Sequence, residues 1–156
     1  MRFRSIAVLA LLLTLPLTAQ GQKQTASTKE VRESLRASKK TLVTENMRLT
    51  ESEAETFWPL YQEFQTELEA IGDRELKLIE NYGRTHKVMT NDSAGMILNK
   101  YLDIQSDKIE LQKKYVARFN KVIPMTKVLR YYQLENKFRL AVDSDITSKI
   151  PLAEQQ

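Results

Sequence analysis

Between Phe57 and Ile71 apolar residues recur at Phe57, Tyr61, Phe64, Leu68 and Ile71, spacings of 4, 3, 4 and 3. That is the repeat of a single buried helix face, and no strand can use it. The start of the helix is equally legible. Thr50 followed by Glu53 forms a capping box, in which the hydroxyl accepts the N3 amide and the carboxylate returns to the cap amide. Leu49 stands just before the cap, placed to staple onto Ala54 of the first turn. Trp58 and Leu60 widen the stripe, which continues through Leu78, Ile79 and Tyr82. Pro59 inside the pattern removes one helix hydrogen bond and predicts a kink. Gly83 is expected to close the helix as its C′ residue.

The rest of the chain reads the same way. Beyond residue 21 only Gly72, Gly83 and Gly95 and Pro59, Pro124 and Pro151 supply turn residues, too few for a β fold. A first helix is expected from about Thr28 to Glu45, with Val31, Leu35 and Leu42 on its apolar side and Arg32, Arg36, Lys39 and Lys40 on a basic stripe. That stripe reads as a solvated face or as a contact for an acidic partner or anionic headgroups. A third helix restarts at Thr90-Asn91-Asp92-Ser93 and reaches about Val122. It carries one row at Ile97, Tyr101, Ile104, Leu111, Tyr115 and Phe119 and a second at Leu98, Leu102, Ile109, Val116 and Ile123. Two rows suggest contact from two directions. Pro124 separates it from a fourth helix, about Thr126 to Ser148. The expected class is all-α, an elongated antiparallel hairpin of about four helices over residues 28–152. A second helix of roughly 50 Å does not fit a sphere of about 37 Å. So thin a layer exposes apolar surface, which makes a homodimer the expected state.

Residues 1–21 have the organisation of a cleavable signal peptide. Arg2 and Arg4 precede an apolar run from Ile6 to Leu17, and Ala19 and Gly21 supply the small-x-small site. A retained anchor is the competing reading, but the apolar run is short for a span of about 20 residues. Residues 22–27 are polar and expected to be disordered. With no cysteine in the chain, disulfides and thiolate metal sites are excluded; an exported, disulfide-free chain points to the periplasm. Loss of Arg2 and Arg4 takes the net charge from +4 to +2, too small an excess to draw the chain to nucleic acid.

Two blocks carry a family resemblance. Leu49-Thr50-Glu51-Ser52-Glu53, running into Phe57-Trp58-Pro59-Leu60-Tyr61, resembles the first signature of the LTxxQ-motif periplasmic proteins, the Spy/CpxP-like group. The second block is Ile123-Pro124-Met125-Thr126-Lys127 with Arg130-Tyr131-Tyr132-Gln133-Leu134-Glu135-Asn136-Lys137. Glu53 stands where the motif has glutamine, and either residue completes a capping box. The second block lacks the usual Leu-Thr and final glutamine. The resemblance implies a cradle-shaped antiparallel homodimer of long helices. It further implies ATP-independent holding of unfolding clients in envelope stress. The alternative it implies is a regulatory or metal-responsive module that binds an envelope sensor protein.

Candidate residues follow from both lines. Phe57, Trp58, Tyr61, Phe64 and Leu68 form a client-binding surface, a dimer seam or core, with Trp58 off the main row and nearest an edge. Leu49, Thr50 and Glu53 form the helix-cap motif. Arg130, Gln133, Glu135 and Asn136 make a polar cluster within two turns, suited to hydrogen bonds with another helix. His86 is the only histidine, with Met89 and Asp92 nearby; a lone histidine in a connector reads as solvated, so no metal or cofactor is expected. It also leaves no Ser–His–carboxylate set, and no Gly-rich phosphate loop is present. Acids such as Glu67 and Glu69 read as ordinary surface residues. No enzymatic activity is expected.

Overall fold

The computed structural model describes residues 21–154, with side chains from residue 29 onward. The described residues form four α-helices, α1 Gly21–Met47, α2 Glu51–Thr85, α3 Asn91–Phe119 and α4 Met125–Thr147, with a single 3-10 turn at His86–Val88. No strand occurs among them. The chain divides into two units at Ala37/Ser38. The leader expected over residues 1–21 lies, but for Gly21, outside the described residues. In the amino-terminal unit, Lys29 and Glu33 pair one turn apart at 3.9 Å, and Val31 and Leu35 are exposed. The stretch 22–27, expected to be irregular, is helical as part of α1; Gln22, Lys23, Gln24 and Ala26 are all good helix formers.

In the main unit, the caps decide where helices start. Thr50 and Glu53 form the reciprocal box at α2. At α3, Thr90 does the same with Ser93 in the role of the N3 acceptor. Between α1 and α2 the chain reverses at Arg48, whose φ of 48° is the left-handed value common just past a helix end. Gly83 does not close α2. The helix runs on to Thr85, and Gly83 sits inside it without a positive φ. Pro59 also lies within an unbroken α2. Near the amino end its missing donor costs one hydrogen bond, while about seven further turns hold the helix beyond it.

Side-chain pairs fix the arrangement of the main unit. Glu67 meets Lys114 at 2.8 Å and Glu63 meets Arg118 at 2.6 Å, and Gln105 and Lys108 both donate to Glu75. As residue numbers on α2 rise, their partners on α3 fall, so the two helices are antiparallel. Helix α4 runs alongside α2 in the same direction, from Glu53–Lys127 through Gln65–Glu135 to Tyr82, whose hydroxyl donates to the Pro151 carbonyl at 2.8 Å. The core lies where α1 ends, α2 begins, α3 ends and α4 begins. It holds Val43 and Met47, Phe57, Leu60, Tyr61 and Phe64, Leu111, Tyr115 and Phe119, and Val128, Tyr131 and Leu134.

Candidate functional site

The two signature-like blocks, more than sixty residues apart in sequence, pack against each other. Lys127 of the second block pairs with Glu53 of the first and also donates to the Arg48 carbonyl at 3.2 Å. Arg130 donates to the Asn46 carbonyl at 3.2 Å. Two cations of α4 therefore sit at the carbonyl end of α1, where the helix dipole favours positive charge. The ammonium of Lys127, with the Thr50 amide, holds the Glu53 carboxyl below the usual carboxylate range.

One turn further in, Tyr131 occupies the centre of an aromatic cluster. Its ring lies 5.4 Å from Phe57, 5.9 Å from Tyr61 and 5.0 Å from Phe119 between centroids, distances typical of favourable aromatic pairs. Below it lies a closed polar network. Gln65 Nε2 donates to the Tyr131 hydroxyl at 3.0 Å and to Glu135 Oε1 at 2.8 Å. Lys39 Nζ donates to Gln65 Oε1 and Glu135 Oε2, each at 2.9 Å, and lies 5.1 Å from the Phe138 ring centre. Gln65 and Glu135 are both buried. Among the described residues no buried side-chain nitrogen or oxygen lacks a partner, as a stable buried polar network requires. Burial and the Glu135 charge push the Tyr131 phenol well up. Burial likewise raises Tyr61, with Glu135 and Glu69 adding to it.

The candidate residues divide accordingly. Phe57, Tyr61 and Phe64 are buried in the core; what a partner would meet there is half-buried Trp58 and Leu68. Leu49 packs against the core beside the Thr50–Glu53 box. Of the polar group on α4, only Glu135 enters the network. Arg130 caps α1, Asn136 accepts from Arg139 at 2.7 Å, and Gln133 is exposed. Glu67 does more than a surface acid: it accepts from the Tyr115 hydroxyl at 2.7 Å and pairs with Lys114, and these hold its carboxyl below the usual range. His86 Nδ1 lies 3.0 Å from the Gly83 carbonyl, and Met89 is buried. Among the described residues no three histidine or acidic side chains gather as a metal site would need.

Two network members, Lys39 and Gln65, are not apparent from the sequence as functional residues. Lys39 reads as part of a basic stripe, but it stands in i,i+4 register with Val43 and Met47, on the apolar side of α1. Gln65 stands four residues after Tyr61. A polar residue in core register is the signal that marks both.

The exposed apolar surface lies elsewhere. Leu98, Leu102 and Ile109 of α3 are 56%, 54% and 50% exposed. With half-buried Val116 they fall within a narrow arc of the helix, over roughly 27 Å of its length. Tyr101 flanks them and is also exposed. The lower part of this row borders an open groove of about 330 Å³ lined by Ile109, Gln112, Lys113, Val116 and, from α4, Tyr132. A second row on α4, Met125, Leu129 and Leu140, is exposed as well. Among the described residues no helix is long and apolar enough to cross a membrane. In comparisons with known proteins, no family model, curated protein or solved structure matches this chain.

Proposed function

We propose that the chain is an exported, ATP-independent holdase of the envelope-stress type, which keeps unfolded proteins soluble by covering their apolar segments. The observation that carries this is the Leu98–Leu102–Ile109 row on α3, apolar and half or more exposed. Large exposed apolar side chains gathered on one helix face support an interaction site there. The resemblance of the two sequence blocks to the Spy/CpxP-like group points the same way, and it brings a homodimer with it. Two rows suit two tasks. We assign the α3 row to the client and the α4 row of Met125, Leu129 and Leu140 to the second copy. An unmatched apolar row fits many unrelated clients, whereas a regulator of one sensor protein would need a more specific, charged surface.

The test is light scattering from a chemically denatured client diluted into buffer with the mature protein and no nucleotide, repeated with a second, unrelated client. Suppression with both is expected, and Leu102→Glu/Ile109→Glu is expected to abolish it without loss of helix. Leu129→Glu/Leu140→Glu is expected to yield a monomer by sedimentation. Absence of suppression at several-fold excess with both clients would sink the holdase reading and leave the sensor-binding one.

A further inference from the structure

Segment 38–47 of α1 lies against the aromatic side of α2 and α4, yet few contacts hold it there. Of its ten residues Val43 and Met47 are fully buried and Leu42 packs partly buried against the core, while the others apart from Lys39 are exposed. Its deep polar anchor is Lys39, gripped by Glu135 and Gln65 at 2.9 Å each. The remaining contacts are peripheral: Arg130 on the Asn46 carbonyl, and the Lys40 ammonium 5.5 Å from the Trp58 ring centre. Helices α2, α3 and α4 are joined independently of it, through Phe64–Tyr115, Phe119–Tyr131 and Phe57–Phe119. The Glu63–Arg118 and Glu67–Lys114 pairs add to this.

We propose that segment 38–47 is a displaceable strap, latched by the Lys39–Glu135 pair, over a second and normally closed surface for apolar segments of unfolded proteins. The latch works by charge. Without the Glu135 carboxylate, the Lys39 ammonium would lie partly buried against neutral groups, a costly position for a charge. Its flexible stem returns it to water, and the strap loses its anchor. The face then uncovered is formed by Phe57, Trp58, Tyr61 and Tyr131, large rings that adapt to varied apolar partners. Segments with few buried contacts are the ones that open locally while the rest of a fold stays closed. The identity of the occupant rests on the holdase reading; the strap itself rests on the contacts alone.

Hydrogen exchange of the mature chain carrying Glu135→Gln, which keeps the shape of the side chain and removes its charge, tests the proposal. Backbone amides of 38–47 are expected to exchange at least about tenfold faster, with those of α2 and α3 unchanged. The emission of Trp58, the only tryptophan, should shift to the red, and binding of an apolar dye should rise. Val43→Ala loosens the strap from its apolar side and should give the same local pattern. It serves as the second variant if Glu135→Gln fails to fold. Loss of protection in α2 together with 38–47 in both variants would overturn the strap, since the segment would then belong to one cooperative unit. Local opening with no gain in dye binding would overturn the closed surface. Opening with dye binding but no added protection of denatured clients would support the strap and count against the holdase reading.

Discussion

The Tyr131 hydroxyl donates to Glu135 Oε1 at 2.9 Å, one turn along α4, and the same oxygen accepts the Gln65 amide at 2.8 Å. Tyr131 is thus the point at which the aromatic core and the buried polar network meet. Tyr131→Phe keeps the ring and deletes the hydroxyl, leaving Gln65 and Glu135 each short of one partner in a dry site. The expected cost is about 1–3 kcal/mol. Tyr115→Phe removes a hydroxyl whose acceptor, Glu67, is half-exposed and keeps Lys114. Its cost should be under about 1 kcal/mol. Urea titrations of the two variants give the comparison, and equal costs would contradict the placement of Glu135 in a dry network.

Alkaline pH attacks the same cluster. Burial raises the phenols of Tyr61, Tyr131 and Tyr132, and that of Tyr115 to about 12, with the charges of Glu135 or Glu67 adding to the effect. A phenol whose folded value lies above its unfolded value stabilises the fold below the unfolded value, about 10. That contribution is lost as pH rises beyond it. Ultraviolet absorbance followed from neutral pH upward should therefore show these four phenols ionising only together with loss of helix. Their smooth ionisation with the helix signal intact would show that the cluster is open to solvent.

At the acid end the sign is opposite. The Glu53 and Glu67 carboxyls are held low, Glu53 chiefly by its hydrogen bond with Lys127 and Glu67 chiefly by that with Lys114. A lowered carboxyl contributes stability above its unfolded value, about 4.3, and that contribution disappears as pH falls through the folded one. Stability should decline below about pH 5. Glu53→Gln keeps an acceptor for the Thr50 amide but loses the pair with Lys127. The variant should be less stable at neutral pH and show a shallower acid decline in thermal melts taken across this range.

How much of this was legible follows from what each feature depends on. Helix starts are local: Thr50 with Glu53, and Thr90 with Ser93, carry their own hydrogen bonds. The α2 stripe is local too, since its spacing marks a buried face whatever covers it. What covers it is not local. Phe57 touches Phe119 and Tyr131, residues more than sixty positions away, so its spacing alone fits core, seam or client surface equally. Lys39 illustrates the opposite failure. A lysine among Arg32, Arg36 and Lys40 reads as solvated until the acceptors on Gln65 and Glu135, 26 and 96 residues later, are in place. Gly83 misled because a glycine near a helix end usually terminates it; here α2 runs on to Thr85 and ends where the chain tightens into the 3-10 turn His86–Val88.

Two positions use the backbone uneconomically, and exchanging their residue types should stabilise the fold. Arg48 holds a φ of 48° just past α1, a conformation that crowds any side chain carrying a Cβ. The contact its backbone makes, the carbonyl with Lys127 at 3.2 Å, does not need the arginine side chain. Gly72 shows the reverse: it lies within α2, and a Cβ added there meets nothing within 4 Å. Arg48→Gly relieves the crowding, and Gly72→Ala removes freedom from the unfolded chain at no steric cost. Each should add about 0.5–1 kcal/mol, and because the sites share no contact the gains should sum. Thermal melts of the single and double variants should rise by a few degrees per substitution. A drop for Arg48→Gly would mean that the arginine side chain holds the corner between α1 and α2.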